Sequence, residues 1–377
     1  MSSMKKEVIE SMHLAVYGAK SIALGIYQAV KELYPEYPQC CFLVSSLQNN
    51  PSVLAGLPVR ELAEFSQGLS LKEKDNIHVI IGTPEDIHPE IVTALEKHGF
   101  CHYTCIDSRR EAHLMEQYFI RKQIFSSIHT LKSGTEAAHL QIFMARFYKD
   151  RHLQNEYGIP DWLHPLQVGA DLTMQRVAEY TDNTGDNISC KNVNYCELTA
   201  LYWIWKNKLI LSLPGDKNNE LDNEYFGLFH YRRILDISDQ DMFRIRLNNV
   251  DVVLPFPTLH EPDIREHHAR YIRESDWAAM IQALKELQPS YAASYEEFFS
   301  QQYFYNYNIL IARKNVLRDY CAWLFPILKR AEELSVPKGW ERADRYIGYL
   351  GENLMTLYFL YHKNDLNIFH TGRLMLT

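Results

Sequence analysis

The stretch Phe226-Gly-Leu-Phe-His-Tyr-Arg-Arg233 decides how this 377-residue chain is interpreted. Its first four residues suit a buried strand, and the polar side chains of His230, Arg232 and Arg233 follow where that strand would end. In open α/β sheets, ligands bind in the crevice outside the carboxyl ends of the strands. A guanidinium group binds phosphate oxygens in bidentate geometry. The stretch therefore predicts an α/β sheet with an anion-binding site at the end of one strand.

The two adjacent arginines are not expected to act together. Side chains of neighbouring strand residues point to opposite faces of a sheet, so only one of Arg232 and Arg233 can reach the site. The other would form a structural ion pair with a carboxylate such as Asp236. His230 is expected to be a further hydrogen-bond donor or, less commonly, a metal ligand.

Residues 13–107 alternate between apolar runs and amphipathic stretches that are typical of strands and helices. The apolar runs predict strands at 13–17, 41–44, 77–81 and 102–106. Strands that alternate with helices form a parallel sheet covered by helices on both faces. We therefore expect a small Rossmann-like domain over residues 1–130.

The first turn of that domain, Gly18-Ala-Lys-Ser-Ile-Ala-Leu-Gly25, departs from the G-x-G-x-x-G pattern of dinucleotide-binding proteins. Lys20 and Ser21 still suit a phosphate at the start of the following helix. The second strand ends in Ser45-Ser46, where a ribose-binding acidic residue is expected. A degenerate or regulatory domain is therefore favoured over true dinucleotide binding. The segment resembles the N-terminal nucleotide-binding-like domains of bacterial sugar acyltransferases.

Composition narrows the class of protein. The hydrophobic fraction of 46% and the charged fraction of 23% are ordinary for a globular protein, and no apolar run approaches the roughly 18 residues of a membrane span. The formal charge of −8 argues against a general nucleic-acid binder, because no basic excess is available for phosphate neutralisation. No secretory signal is visible, and seven scattered cysteines suggest reduced thiols rather than a zinc site. We expect a cytoplasmic protein.

A second domain is predicted from residue 140 to residue 377. Residues 109–132 have the pattern of a charged amphipathic helix, 133–136 suit a linker, and a fresh strand begins at Leu140. This half contains a series of locally specific segments: 168–173, 182–189, 195–207, 225–233, 251–255, 306–312, 320–325 and 342–352.

In this order, over residues 140–375, the segments resemble a bacterial glycosyltransferase family from capsule and O-antigen loci that was long catalogued only as a domain of unknown function. The resemblance implies a GT-A-like fold and transfer of a sugar from a nucleotide-sugar donor. Relatives include β-1,3-galactofuranosyltransferases, which makes UDP-galactofuranose the first donor to consider. The resemblance also implies a lipid-linked glycan acceptor and peripheral association with the inner face of the cell membrane.

The sequence departs from most GT-A enzymes at the donor site. Those enzymes hold a divalent cation with an Asp-x-Asp motif, whereas this chain has His230-Tyr-Arg232 in that place. A guanidinium stabilises a leaving diphosphate without a metal ion. We therefore expect no required cofactor and no metal site, with Mn²⁺ or Mg²⁺ as the alternative. Arg345 is a further candidate for a phosphate clamp.

Asp171, Asp186 and Asn187 are the remaining donor-binding candidates. They lie in polar, loop-like stretches that are available to a ligand, where the two carboxylates would hold ribose or acceptor hydroxyls. An equal alternative is that Asp182, Asn183 and Asp186 only form Asx turns.

Inverting transfer needs a carboxylate or histidine within hydrogen-bond reach of the acceptor hydroxyl. Asp344, Asp263 and Glu352 are the preferred candidates, from a set that also includes His267, His268 and Asp276. Asp344 and Glu352 each lie four residues from Gly348, so a helix would place all three on one face. Glu352 is surrounded by apolar residues, and a buried carboxylate requires a partner. The alternative for Asp344 is a solvated, salt-bridged helix face.

Asn306, Asn308 and His268 are the candidate acceptor-binding residues. The aromatic stretch 303–308 precedes an apolar run and suits a half-buried strand, on which the two asparagines would face one side and hold sugar hydroxyls. His268 lies in the charged segment 261–274, whose alternative interpretation is an exposed helix.

Two other functions remain open. One is a nicotinamide-dependent sugar-nucleotide oxidoreductase that uses the N-terminal domain, although the departures at 18–25 and 45–46 argue against it. The other is a non-catalytic sugar-nucleotide-binding subunit, whose N-terminal domain would be a protein-interaction module.

Overall fold

The computed structural model describes residues 13–153, 160–210 and 223–377. Its internal contacts divide the chain into two compact units. The first extends to Phe125 and includes Thr258–Glu261 and Thr377, and the second contains Ser126–Pro257 and Pro262–Leu376. The sequence places the boundary between residues 130 and 140 and does not predict that 258–261 belong to the first unit.

The first unit contains a mostly parallel sheet. Its strands are β1 His13–Tyr17, β2 Gln39–Val44, β3 Val53–Leu54, β4 Leu57–Glu61, β5 Ile77–Ile81 and β6 Tyr103–Cys105. Their order is β3-β4-β2-β1-β5-β6, with β1, β2, β4, β5 and β6 parallel to their neighbours and β3 antiparallel to β4. This is a Rossmann-like arrangement, as predicted. Strands β3 and β4 are not predicted from the sequence, because they are short and interrupted by Gly56 and Pro58.

The helices of the first unit lie between these strands along the chain, except the last one, which follows β6. They are α1 Ser21–Leu33, α2 Leu62–Gln67, α3 Leu71–Asp75, α4 His88–Lys97 and α5 Ser108–Lys122. Gly18, between β1 and α1, has a φ of +117°, and a Cβ there would lie 2.8 Å from the carbonyl oxygen of Gly82. A side chain would therefore separate the turns that follow β1 and β5.

The second unit is built on a mixed sheet. The strands in this part of the sequence are β7 His139–Arg146, β8 Leu163–Gln167, β9 Tyr180–Thr181, β10 Glu224–His230, β11 Arg233–Leu235, β12 Val252–Pro255, β13 Thr258–Leu259, β14 Tyr303–Phe304, β15 Leu310–Arg313, β16 Ile368–Thr371 and β17 Arg373–Met375. The main order is β16-β12-β15-β10-β7-β8-β9, and β11 joins β10 to β17. The predicted fold class is confirmed: a Rossmann-like unit is followed by a second α/β unit whose architecture agrees with the expected GT-A-like fold.

The strand order reverses between β7 and β10. The chain proceeds outward from β7 through β8 to β9, and it then returns to place β10 on the other side of β7. All four strands are parallel to their neighbours in this part of the sheet. Such a reversal opens a crevice at the carboxyl ends of the strands, and this is where ligands bind in α/β sheets.

Buried apolar side chains and one close backbone contact fix β10 in this sheet. Ile142, Tyr225, Phe229 and Ile311 belong to one buried cluster. A Cβ at Gly227 would collide with the carbonyl oxygen of Leu310 on β15. The strand that ends at His230 is therefore held on both sides by close-packed neighbours.

Helices cover this sheet and supply one wall of the site. They are α6 Asn192–Tyr195, α7 Leu198–Ile204, α8 Asp239–Leu247, α9 Arg265–Tyr271, α10 Glu274–Leu287, α11 Pro289–Phe299, α12 Lys314–Leu334 and α13 Tyr346–Tyr361. A π-helical turn, Trp205–Leu209, extends α7, and 3₁₀ turns span Glu85–Ile87, Ile128–Thr130, Ala170–Leu172, Ser189–Lys191 and Gly339–Glu341. None of the helices in the described part of the chain is long and apolar enough to cross a membrane.

Two predicted elements differ from the structure. The strand expected across 303–308 ends at Phe304, because Tyr307 and Asn308 have left-handed backbone with φ of 71° and 51°. The helix face expected to carry Asp344 begins only at Tyr346, because Arg345 has a φ of +62° and ends helical geometry in that direction. Gly348 and Glu352 lie on α13, whereas Asp344 does not.

Candidate functional site

A cavity of about 490 Å³ lies at the carboxyl ends of β7 and β10, where the strand order reverses. It is wholly within the second unit. Its lining residues are Ala145, Phe147, Asp150, Val168, Asn192, Val193, Cys196, Glu197, His230, Tyr231, Arg232, Arg233, Ala343 and Arg345. Strand ends therefore contribute one side of the cavity, and α6 with the segment before α13 contributes the other.

A tight turn brings both adjacent arginines to this cavity. β10 ends at His230 and β11 begins at Arg233, with these two residues paired across the antiparallel ladder. Tyr231 and Arg232 form the turn between them, so the alternation rule for strand side chains does not apply to Arg232. The expectation that only one arginine can reach the site is wrong, because both Arg232 and Arg233 line the cavity.

The guanidinium group of Arg233 lies over the aromatic ring of Tyr307. Its guanidinium carbon lies 4.3 Å from the centre of the Tyr307 ring, and that of Arg373 lies 5.1 Å from the same ring. Cation–π contacts of this kind hold a planar guanidinium in a fixed orientation while its N–H groups remain available to acceptors.

Arg345 provides a third cation from the opposite side. It directly precedes α13, in left-handed backbone that non-glycine residues seldom adopt, and its Nε donates to the sulfur of Cys196 over 3.2 Å. Burial raises the pKa of Asp150, Glu197 and Glu352, and the positive charge of Arg345 opposes that effect at all three. Strain of this kind persists where the surrounding structure holds it in place, commonly at functional sites.

His230 is neutral at physiological pH. Burial, followed by the positive charges of Arg233, Arg345 and Arg232, lowers its pKa to about 3. Its Nδ1 is buried and has no hydrogen-bond partner among the described residues. The imidazole can therefore donate or accept a hydrogen bond from a ligand, but it adds no charge to the arginine cluster.

Two carboxylates on the cavity wall were missed by the sequence analysis. Glu197 is 7% exposed and accepts a hydrogen bond of 2.8 Å from Asn308 Nδ2. Burial raises its pKa, against the effects of Asn308 and Arg345. Asp150 accepts the N–H of Phe147 over 2.7 Å, and burial raises its pKa to about 6. For Glu197, an acidic residue directly before a strongly apolar helix was the available signal.

Glu352 contributes a further buried carboxyl group behind this wall. It lies on α13, and the N–H of Tyr307 donates to its Oε1 over 3.0 Å. Burial, followed by the negative charge of Glu197, raises its pKa to about 8. A partner is expected for this residue from its apolar surroundings, and the partner is a backbone N–H from the turn that also carries Asn308.

Cys196 separates the helical wall into two parts. Its backbone, with φ of 53° and ψ of −131°, ends α6 just before Glu197 and α7. Burial raises the pKa of its thiol to about 12, so the sulfur accepts from Arg345 as a thiol rather than as a thiolate. The backbone conformation of Cys196 changes the direction of the chain between α6 and α7, and Glu197 follows it in the cavity lining.

The three loop residues proposed for donor binding have local partners and do not line the cavity. Asp171 accepts from Asn183 Nδ2 over 2.9 Å. Asp186 accepts from the hydroxyl of Tyr202 over 3.1 Å, and Asn187 accepts the N–H of Ser189 in an Asx turn. These contacts agree with the alternative in which the segment only stabilises its own turns.

Two carboxylates proposed as the base are held in ion pairs outside the cavity lining. Asp263 accepts Nε and a terminal nitrogen of Arg265 over 3.1 and 2.6 Å, at the start of α9. Asp344 lies 3.4 Å from Arg342 Nε and 3.5 Å from a terminal nitrogen of Arg273. It is adjacent to cavity residues in sequence, but the guanidinium groups engage its carboxylate.

The acceptor candidates are placed differently from expectation. Asn308 is 1% exposed and donates to Glu197 and, over 3.3 Å, to the carbonyl of Gly348. Asn306 is buried and does not share a strand face with Asn308, because the left-handed turn separates them. The side chain of His268 lies outside the described residues. No group of three or more His, Cys, Asp or Glu side chains suited to a metal ion occurs in the described ranges.

Comparison with known proteins gives one family match and a structural similarity. The model of the DUF4422 family, described as a domain of unknown function, matches residues 146–364. Among solved structures, the chain is similar to the apo structure of WbbM, a bifunctional glycosyltransferase, with 25% sequence identity and a TM-score of 0.48. That similarity covers 63% of this chain and 45% of the other, so it spans less than half of the WbbM chain. No curated protein matches the chain.

Proposed function

The chain belongs to the DUF4422 family, and we propose that it is a glycosyltransferase that transfers a sugar from a nucleotide-sugar donor to a hydroxyl of a glycan acceptor. The observation that supports this most is the convergence of three arginines with the buried Glu197 and the half-buried Asp150 in one cavity at a strand-order reversal. A cavity of about 490 Å³ is within the usual range of small-molecule sites. The sequence segments that resemble bacterial GT-A-like enzymes point to the same chemistry.

The arginines suit the departing nucleotide. When the bond between the sugar and the diphosphate breaks, negative charge develops on a phosphate oxygen. Arg232 and Arg233 approach from the strand ends and Arg345 from the other side, so they can accept this charge from two directions. Neutral His230 adds a hydrogen bond without repelling the cations.

This arrangement leads us to propose that donor cleavage requires no metal ion. The guanidinium groups supply the positive charge that a divalent cation supplies in Asp-x-Asp enzymes. Transfer is expected to persist in excess EDTA. Complete loss of transfer that Mn²⁺ restores would overturn this part of the proposal.

The donor and acceptor follow from the family resemblance. We propose a UDP-sugar, with UDP-galactofuranose as the first to test. The proposed acceptor is a lipid-linked glycan of cell-surface polysaccharide synthesis, reached from the cytoplasmic face of the membrane through peripheral association.

A panel of nucleotide sugars tests the proposal. A donor that binds the folded chain at a hundredfold excess over its Kd stabilises it by about 2.7 kcal/mol, which raises Tm by roughly 5–10 °C. Release of the nucleoside diphosphate in the presence of an acceptor would then demonstrate turnover. If no nucleotide sugar raises Tm or releases diphosphate, the proposal is wrong. Binding without release would instead favour a non-catalytic sugar-nucleotide-binding subunit.

One observation favours a second candidate, a nicotinamide-dependent oxidoreductase. The strand order of the first unit is that of a Rossmann-like sheet. A fluorescence titration with NADH tests binding, and saturable binding together with oxidation of a nucleotide sugar coupled to reduction of NAD⁺ to NADH would support this candidate over transfer.

A further inference from the structure

One turn of the chain holds two buried carboxyl groups in place. Asn308 donates through its side chain to Glu197, and Tyr307 donates through its backbone N–H to Glu352. Both turn residues have left-handed backbone, which is unfavourable for Tyr307 and less so for Asn308, since asparagine adopts it more readily than other non-glycine residues. Two such residues in succession persist only where the surrounding contacts offset their cost. Here those contacts include the hydrogen bonds to the two carboxyl groups.

The two carboxyl groups are in different positions relative to the cavity. Glu197 lines it, whereas Glu352 lies behind the wall and is absent from the lining. Each is buried, and burial, followed by the negative charge of Glu197, raises the pKa of Glu352 to about 8. At neutral pH Glu352 therefore keeps its proton, while the hydrogen bond from Asn308 and the charge of Arg345 oppose the effect of burial on the pKa of Glu197, the member that faces the cavity.

The two walls of the cavity carry different groups, and Arg345 shares the helical wall with Glu197. His230, Arg232 and Arg233 come from the strand ends, where the diphosphate is proposed to bind. Glu197 comes from the helical wall formed by α6 and α7. Asp150 follows β7 on the strand side, which makes it suited to the nucleotide rather than to the acceptor.

We propose that Glu197 is the general base for the acceptor hydroxyl and that Asn308 is its positioning residue. This inference rests on the proposed function. Glu197 removes the hydroxyl proton as the acceptor oxygen forms a bond to the anomeric carbon of the donor sugar. The bond from that carbon to the diphosphate oxygen breaks, and its electron pair leaves with the diphosphate, whose charge the arginines stabilise. This is a single displacement with inversion, after which protonated Glu197 returns its proton to water.

Replacement of Glu197 by glutamine tests the base directly. Glu197→Gln keeps the shape and the hydrogen bond from Asn308, but it cannot accept a proton. Transfer should fall by at least about 100-fold, while the Kd for UDP, measured by calorimetry, should change by less than about threefold. Glu224→Gln is the control, because Glu224 pairs with Lys314 at the start of β10, away from the cavity. It should transfer at the wild-type rate.

Asn308→Ala tests the positioning role through the pH profile of kcat. The hydrogen bond from Asn308 and the charge of Arg345 oppose the effect of burial on the pKa of Glu197, and Glu197 in turn acts on the buried Glu352. The hydrogen bond from Asn308 favours the ionised carboxylate, so its loss should shift the acidic limb of the profile to higher pH. A purely structural role would lower the rate without moving that limb. The KM for the donor should stay within about threefold.

The outcomes separate this inference from the proposed function. If wild-type protein neither binds UDP-sugars nor releases UDP, the proposed function is wrong. If wild-type protein transfers sugar and Glu197→Gln transfers within about threefold of it, only the assignment of the base is wrong. A thermal melt checks folding of each variant. If the glutamine variant does not fold, Glu197→Asp, which keeps the charge but shortens its reach, should fold and lose most of kcat; full activity would overturn the assignment.

Discussion

Arg232 gains its position from a two-residue turn rather than from the strand that precedes it. We expect Arg232→Ala to reduce transfer by at least about 100-fold, because one of the charges facing the departing diphosphate is lost. Its Tm should stay within a few degrees of wild type, since the residue lies at a partly exposed turn. Initial rates of UDP release and a thermal melt measure both quantities. Arg246→Ala is the matched control, because Arg246 lies on α8 outside the cavity lining and its Nε is 3.9 Å from the carboxylate of Glu136. It should transfer at the wild-type rate. An active Arg232→Ala variant would remove the argument for leaving-group stabilisation.

Glu352 should make the stability of the protein depend on pH. Its pKa is about 8 in the folded chain, compared with an ordinary value of 4.5. The folded state therefore binds more protons than the unfolded state between these values, and stability falls as pH rises through this window. Glu352→Gln should remove this contribution, so that the variant gains stability relative to wild type as pH rises from 5 to 9, by roughly a few kcal/mol. Urea unfolding at several pH values measures the difference. A constant difference across the range would contradict the prediction.

Single residues were only partly predictable from the sequence. His230, Arg232 and Arg233 were chosen for their polar side chains at the end of a strand, and Arg345 was chosen as a phosphate clamp on an expected helix; the structure places all four at one cavity. Glu197 was missed because its role depends on contact with Asn308, more than a hundred positions away along the chain. Pattern analysis of a segment carries no information about such a partner.

At the scale of elements, the pairing of β10 with β15 leaves no space for a side chain at Gly227. We expect Gly227→Ala to destabilise the second unit by about 1–3 kcal/mol, because its Cβ would force the two strands apart. The midpoint of urea unfolding, at unchanged slope, measures this loss. Gly68→Ala is the control, since its Cβ would lie at an ordinary 3.7 Å from the carbonyl oxygen of Phe65. If Gly227→Ala is as stable as wild type, the prediction is wrong, and β10 and β15 can move apart to accommodate the added Cβ without a loss of stability.

Elements with strong apolar patterns were predicted well, and irregular ones were not. The four expected strands of the first unit formed because each is a continuous apolar run bounded by turn residues. The turn at Tyr307 and Asn308 was misread as strand, because aromatic residues favour strands and nothing local indicates left-handed backbone. The left-handed backbone of Arg345 was missed in the same way, and the segment before Tyr346 was misread as helix.

At the scale of the whole molecule, the cavity belongs to one unit. All its lining residues lie between Ala145 and Arg345. We therefore expect a chain of residues 126–377 to bind UDP-sugars with a Kd within about threefold of the full chain, as measured by calorimetry. Leu259, buried among contacts of the first unit, would become exposed, so Leu259→Ser is included to limit aggregation. The same fragment with Arg232→Ala is the control for specific binding. A folded fragment that binds no nucleotide would contradict the prediction.

The assignment of Thr258–Glu261 to the first unit has a consequence for synthesis on the ribosome. Helix α1 contacts β13, and the N–H of Ala55 donates to Glu261 over 2.7 Å. The nascent N-terminal unit cannot complete these contacts until roughly half of the following unit has been translated. Domains usually fold one after another as they emerge. Here the N-terminal unit lacks its contacts with β13 and Glu261 until that later segment has been translated.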